Sequence, residues 1–264
     1  MKWSPEAEDA LRGVPFFVRK KVRLRVEDDA RRAGHSEVTL ADVHESRKRF
    51  LQTMSSEVRG YQLDTCFGSG DCPNRAVPAE SLRRRLETVL KDADLLAFLK
   101  SEVAGDLKLH HEFRVTLAEC PNACSQPQIK DIGILGAVRP GLTDTACTGC
   151  NACVEVCPDD AVRLDENMDR PVLDMSRCQS CGLCVNACPT GTISAACRGY
   201  RILVGGKLGR HPRLARELPG IYDEDGVLDV VRDCLDHYKQ TSRNGRRFAE
   251  ILTDDRFRDL AERK

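Results

Sequence analysis

Twelve of the fourteen cysteines in this 264-residue chain stand at short, ordered intervals, and such intervals dictate how the backbone around them must curl. One pattern is written twice: Cys147, Cys150, Cys153 and Cys157 before Pro158, then Cys178, Cys181, Cys184 and Cys188 before Pro189. Thiolates at this spacing wrap three corners of an iron–sulfur cube, and a more distant cysteine supplies the fourth. A looser set remains, with five residues between Cys66 and Cys72 and three between Cys120 and Cys124. At four thiolates per cube, the twelve predict three [4Fe-4S] clusters in one chain. A chain of this length can bury a core without metals, so the clusters are expected to be functional rather than structural.

Disulfides are the competing use of so many cysteines. Met1-Lys2-Trp3-Ser4-Pro5 lacks the apolar stretch of a secretory signal, which argues against them. No uninterrupted apolar run approaches the roughly 18 residues of a membrane helix. The expectation is a cytoplasmic protein without a membrane span. Forty-one basic and 41 acidic side chains cancel, so no bulk charge attracts nucleic acid. Aromatic content of 5% leaves few platforms for stacking single strands, and nucleic acid is not an expected partner.

The pattern of elements predicts an α+β chain. Residues 1–52 read as a small helical accessory domain: Trp3 and Pro5 open it, Phe16-Phe17-Val18 leads into a charged helix, Gly34 closes that helix, and Ser36 or Thr39 caps the next. The basic run 19–25 reads first as a solvated helix face and second as a contact for an acidic partner or nucleic acid. After a polar connection at 53–60, a strand at 61–65 delivers Cys66 into Phe67-Gly68-Ser69-Gly70-Asp71, a loop able to bend around a cluster. Leu82, Leu86, Val89, Leu90, Leu95, Leu96 and Leu99 give helical periodicity across 79–103. Residues 113–118 alternate as a strand ending near Cys120, and 132–138 and 200–204 are further strand candidates. The repeated cysteine pattern lies between those two, which predicts a domain at 141–197 inserted into one formed by 59–140 and 198–264. A helix is predicted over 227–238.

With their prolines, the repeated motifs resemble two-cluster ferredoxins. That resemblance implies crossing: Cys147, Cys150, Cys153 and Cys188 hold one cluster, and Cys178, Cys181, Cys184 and Cys157 the other. Structural zinc is the other use of such sets. Thr65-Cys66-Phe67-Gly68 with Cys72, Cys120-Pro121-Asn122-Ala123-Cys124, Asp131-Ile132-Gly133, and Tyr200-Arg201-Ile202-Leu203-Val204-Gly205-Gly206-Lys207-Leu208-Gly209 resemble the siroheme-dependent sulfite and nitrite reductases. The likeness runs from about residue 59 to 260 and implies a sulfite reductase-like α/β half-domain. It also implies a third [4Fe-4S] cluster on Cys66, Cys72, Cys120 and Cys124, joined to siroheme iron through the Cys124 thiolate. A ferredoxin inserted after this motif is similar to the dissimilatory and anaerobic subtypes.

Two departures accompany the likeness. Complete enzymes of that family carry two related halves, and the half that supplies many cationic contacts has no counterpart in the roughly 58 residues before the motif. Glu119 also stands where a glycine commonly precedes Cys-Pro-Asn. Ahead of the motif, Trp3-Ser4-Pro5-Glu6-Ala7, Pro15-Phe16-Phe17-Val18-Arg19 and Gly34-His35-Ser36-Glu37-Val38-Thr39 resemble the small C-terminal domain of the B subunit of light-independent protochlorophyllide reductase. That implies a docking or accessory module without the reductase's catalytic apparatus.

Lys207 and Arg210, in a glycine-rich turn, are the leading candidates for contacts to siroheme carboxylates or a small oxyanion substrate. Arg75, Arg114 and Lys130 are further cationic candidates, and His110, His111 and His211 are candidate proton donors. Cys197 and Cys234 are left over, with Cys234 expected in the core. Two functions stand open. One passes electrons through two ferredoxin clusters to a [4Fe-4S]–siroheme centre that reduces sulfite or nitrite, as a subunit or a homo-oligomer. The other is a siroheme-free electron-transfer protein serving another redox enzyme. Either implies a redox partner protein or a second reductase subunit.

Overall fold

The computed structural model describes residues 1–66, 72–165 and 170–262. They separate into two units, Met1–Val58 with Ala104–His110 and Arg59–Val103 with His111–Lys264. In the first unit the order is β1 (Lys2–Trp3), α1 (Pro5–Arg12), α2 (Phe16–Arg32), β2 (Glu37–Val38) and α3 (Leu40–Glu57). Its boundaries follow local chemistry. Ser4 caps α1 by accepting from the Ala7 amide at 3.3 Å, with Pro5 in the first turn where no N–H is needed. Gly34 takes φ +81° just past α2, a left-handed stop that glycine adopts without Cβ strain. Thr39 and Asp42 cap α3 reciprocally, the Thr39 amide donating to Asp42 at 2.8 Å. β1 and β2 pair in parallel, which the sequence pattern does not suggest, and Ala7, Val26, Ala30 and Val38 form a small core.

The second unit runs β3 (Tyr61–Thr65), α4 (Glu80–Asp92), α5 (Leu95–Glu102), β4 (Phe113–Ala118), β5 (Ile132–Leu142), α6 (Ala152–Glu155), β6 (Val162–Asp165), β7 (Arg170–Leu173), α7 (Leu183–Ala187), β8 (Ile193–Val204), β9 (Arg216–Glu217), α8 (Glu224–Thr241), α9 (Phe248–Ile251) and α10 (Asp254–Glu262). Five strands form one mixed sheet in the order β3-β4-β5-β8-β9. The first three are mutually parallel, and β8 is antiparallel to both its neighbours. Leu82, Leu86 and Leu90 of α4 and Val227, Val231 and Leu235 of α8 share one core with Phe113, Val115, Ile132 and Ile134 of the sheet. Cys234 belongs to that core and is fully buried.

Two elements differ from their sequence patterns. The leucine periodicity across 79–103 is carried by two helices, because Asp94 adopts φ 45° and caps α5 by accepting from the Ala97 amide. Leu82, Leu86, Leu90, Leu95 and Leu99 are buried on either side of that break, and Leu96 is half-buried. β5 and β8 are longer than their apolar runs and pair from Ile132↔Val204 to Leu142↔Ile193, with a bulge between Arg139 and Pro140. Arg139-Pro140-Gly141 reads locally as a strand breaker. The bulge accommodates the missing proline N–H, and the long partner carries the ladder onward. The antiparallel pair β6–β7 and the short helices α6 and α7 lie between these two strands in sequence. No helix among the described residues is long and apolar enough to cross a membrane.

Candidate functional site

Parallel pairing of β3 with β4 brings their C-terminal ends to one edge of the sheet. Cys66 extends the ladder by one residue, its amide donating to the Leu117 carbonyl at 3.1 Å. Cys120 follows β4 and starts a tight turn closed by the Ala123 amide at 3.2 Å, with Ala123 at φ 55°. Cys72 returns to the same edge because the Ala76 and Val77 amides donate to the Glu119 carbonyl at 2.9 and 3.2 Å. Burial pushes the Cys120 thiol up against the lowering effect of the Asn122 amide, and its neighbours Cys72, Cys124 and Cys66 push it further in the same direction. Three neighbouring sulfurs that disfavour ionisation of the buried Cys120 make a site that a cation among them would relieve. Cys120 is buried, Cys66 and Cys72 are half-buried, and Cys124 is exposed. The glycine-rich stretch at 67–71, expected to bend around a cluster, lies outside the described residues.

The repeated motifs cross. Burial raises the Cys153 thiol, its own backbone contact lowers it, and Cys147, Cys188 and Cys150 raise it again. Cys184 is pushed up to about 12 by burial and then by Cys181, Cys178 and Cys157. Each motif's fourth cysteine therefore sits with the other motif's first three. Hydrogen bonds hold the exchange: Thr192 donates its hydroxyl to the Ala146 carbonyl at 3.0 Å, bringing the Cys188 end to the first motif. At the other end the Asp174 amide donates to Ala161, beside Cys157, at 2.8 Å, and the Cys178 amide donates to Asp174 at 3.1 Å. Cys153, Val162, Cys184 and Ile193 form one apolar core between the sets. At Cys188 burial works upward, but donors from Ile193, Thr190 and Gly191 overcome it and bring the thiol down to about 7. Such a cradle favours the thiolate that a cluster iron needs. The sequence run Thr190-Gly191-Thr192, polar and glycine-bearing directly after the motif, carries that signal.

All fourteen cysteines are free thiols. Among the described residues no group of three or more His, Cys, Asp or Glu side chains closes on a single metal ion, whose ligands stand about 2.0–2.3 Å from it. Sets of four converging thiols are the donors that an iron–sulfur cube takes.

The charged candidates divide. Lys207 is held by Glu250 at 2.6 Å, and its backbone pairs with Arg213. Arg210 and His211 are exposed in the same turn. Lys130 donates to Asp64 at 2.6 Å. The Arg114 amide donates to Asp131 at 2.9 Å, and Arg75 is half-buried beside Cys72. His110 and His111 belong to the turn Leu109–His111, which leads into the N-terminal end of β4, the end away from Cys120. Ala123, the residue before Cys124, and Ala215, two residues past the Lys207–Arg213 pairing, pack against one small apolar cluster of Ala118, Leu135 and Leu203. Glu119 points into the protein. Its carboxylate accepts from the Ala79 amide at 3.0 Å, at the start of α4, where an anion meets the positive end of the helix.

Comparison with known proteins assigns both segments. A model of the nitrite and sulphite reductase 4Fe-4S domain matches residues 59–263, and one of the proto-chlorophyllide reductase 57 kD subunit matches residues 3–47. A coenzyme F420-dependent sulfite reductase of Methanocaldococcus jannaschii is 31% identical over 99 residues, 38% of this chain and 14% of that protein. A subunit of the anaerobic sulfite reductase of Salmonella typhimurium is 29% identical over 105 residues, 40% of this chain and 26% of that one. The chain thus spans well under a third of the length of these relatives. The crystal structure of dissimilatory sulfite reductase I superposes with a TM-score of 0.51 at 16% identity, covering 81% of this chain and 56% of that one, a likeness of fold alone.

Proposed function

The chain belongs to the nitrite and sulphite reductase 4Fe-4S domain family, and from that membership we propose that it is the cluster-bearing component of a sulfite- or nitrite-reducing assembly. In this reading Cys66, Cys72, Cys120 and Cys124 hold one [4Fe-4S] cluster. Cys147, Cys150, Cys153 and Cys188 hold a second, and Cys157, Cys178, Cys181 and Cys184 a third. The Cys124 thiolate also ligates siroheme. Residues 141–197 are a ferredoxin-like insertion in a reductase domain of 59–140 and 198–264, and residues 1–52 are an accessory docking domain. When bound, the clusters and siroheme supply the one-electron chemistry that the six-electron conversion of sulfite to sulfide requires.

The observation that carries this reading is the convergence of Cys66, Cys72 and Cys124 on the buried Cys120, with Cys124 the exposed member of the four. An exposed thiol at the rim of a buried set is where a second, larger group has room. Lys207 is neutralised by Glu250, which leaves Arg210, without an ion pair among the described residues, as the turn's cation for a carboxylate or an oxyanion. A partner subunit completes the pocket, in keeping with relatives that are longer than this chain, one of them named as a subunit.

Metal and tetrapyrrole content of anaerobically purified protein tests the proposal. About thirteen irons per chain with extractable siroheme are expected, three cubes plus one haem iron. Cys124→Ser should abolish the siroheme bands and leave the clusters of the repeated motifs in place; bands unchanged by it rule out Cys124 as the ligand. About twelve irons without siroheme favour the second reading, an electron-transfer protein serving another redox enzyme. The same exposure of Cys124 favours that reading if no second group occupies the rim.

A further inference from the structure

The three cysteine sets are unequally placed with respect to the sheet, and Val138 of β5 marks the difference. Its amide donates to the Ser180 carbonyl at 2.7 Å, and the residue forms an isolated parallel bridge with Cys181. Gly182 follows at φ +77°, and a Cβ there would fall 2.8 Å from the Cβ of Val138, so only glycine permits this approach. Arg201 of β8, held in bidentate fashion by Glu217 at 2.6 Å, donates from Nη1 to the Gln179 carbonyl at 3.1 Å. The 178–182 arc is therefore pinned to the sheet at residues 179, 180 and 182. On the other side, Val138 packs in one apolar cluster with Cys120 and Ala76, against Val185, the residue after Cys184.

The first motif is tied near the sheet only at its ends, where Thr192 donates to the Ala146 carbonyl and the Ile193 amide of β8 donates to Cys188, and its 148–150 arc has no such tie among the described residues. Thr148, Gly149 and Cys150 are exposed, and nothing lies within 4 Å of where a Gly149 Cβ would stand. The two sets still share the core of Cys153, Cys184, Val162 and Ile193, so one abuts the other.

We propose that the set Cys157, Cys178, Cys181 and Cys184 is proximal, facing Cys120 across Val138, and that Cys147, Cys150, Cys153 and Cys188 form the outer set that accepts electrons from outside. This order rests on the three-cluster reading above. With clusters held by these cysteines, each transfer would move one electron from the group on Cys147, Cys150, Cys153 and Cys188 to the group on Cys157, Cys178, Cys181 and Cys184, oxidising the first as the second is reduced, with no bond formed or broken. A one-electron donor outside the chain replaces the electron at this more exposed set. Val138 and Arg201 are positioning residues in this scheme.

The test uses the whole holoprotein, reduced anaerobically with dithionite and read by electron paramagnetic resonance. Arg201→Gln removes a positive charge beside the 178–182 arc, keeps every cysteine, and should shift one cluster's midpoint potential downward, labelling the proximal set. Thr148→Glu, at an exposed position beside Cys147, should lower the midpoint of the outer set instead. The signal of the Cys120 set is recognised by its change in Cys124→Ser. Magnetic coupling to that signal is expected in the cluster shifted by Arg201→Gln, and weaker or no coupling in the one shifted by Thr148→Glu. Stronger coupling in the Thr148→Glu-labelled cluster overturns the order alone. Fewer than three clusters overturns the order together with the reading beneath it. Absence of siroheme with three clusters present sinks only the reductase reading, and the coupling pattern still decides the order.

Discussion

The Arg247 guanidinium donates to the carboxylate of Asp131 at 2.8 Å, and Asp131 is completely buried. The same oxygen accepts from the Arg114 amide at 2.9 Å, and the Asp131 carbonyl accepts from the Gly205 amide at 2.8 Å. One acidic residue thus ties the beginnings of β4 and β5 to the end of β8 and to the N-cap of α9. Removing one partner of a buried pair strands the other charge. Arg247→Ala should therefore destabilise the second unit by about 3–5 kcal/mol, seen as a lower midpoint in denaturant. Adding Asp131→Ala to it should cost less than the sum of the single changes, and strict additivity would show that the pair is not coupled.

Gly136 lies where a Cβ would stand 2.4 Å from the Glu119 carbonyl oxygen, the residue before Cys120. The obstacle is backbone and cannot rotate away. Gly136→Ala should cost about 3 kcal/mol and reduce the iron retained by the Cys120 set. At Gly149 a methyl meets open space at φ +68°, so Gly149→Ala should cost only about 1–2 kcal/mol, from the left-handed backbone. Equal losses of stability and iron in the two variants would contradict this assignment of strain.

Glu119 serves as an acceptor for the amide at the head of α4. Glu119→Ala should lose about 1–2 kcal/mol, whereas Glu119→Gln keeps an acceptor and should lose less than half as much. Urea unfolding of the two variants checks the ranking. A Gln variant as unstable as the Ala variant would mean that charge, not hydrogen bonding, matters there.

Burial lowers the pKa of His237 below its ordinary value of 6.5, with the neighbouring Arg256 acting in the same direction and Asp233 opposing. An unfolded histidine then takes up its proton before the folded one does. Stability from this group is present above about pH 6.5 and is lost as pH falls through the lower folded value. Thermal midpoints measured from pH 7.5 downward should fall across that window, and His237→Gln should flatten the fall. An unchanged slope in the variant would remove His237 as the cause.

What the sequence discloses follows from the range of the forces involved. The 3.6-residue spacing of Leu82, Leu86 and Leu90 and the cap at Thr39 are local, and both appear in the fold as their patterns require. The grouping of cysteines is legible because ligand spacing is also local, and the exchange of Cys157 and Cys188 follows from the likeness to two-cluster ferredoxins. The break at Asp94 is hidden, since the periodicity of α4 and α5 continues across a single left-handed residue. The continuation of β5 past Arg139-Pro140 depends on a strand about sixty residues away, as does the tie from Arg201 to Gln179 on a contact distant in sequence. No windowed pattern contains such partners. Glu119 stands out in the sequence only as a charge in place of a glycine before Cys120; what holds its side chain, the amide at the head of α4, is forty residues away in the chain.

The final rung of the β5–β8 ladder, Leu142 opposite Ile193, has an engineering consequence. Antiparallel partners stand about 5 Å apart, so the chain leaves and rejoins the sheet at nearly the same point. A two-residue turn could close residues 142 and 193 directly, but any segment exchanged for 143–192 must also supply the Val138 amide and the Arg201 guanidinium with the acceptors that Ser180 and Gln179 now provide. The junction is narrow, and the seat around it is specific.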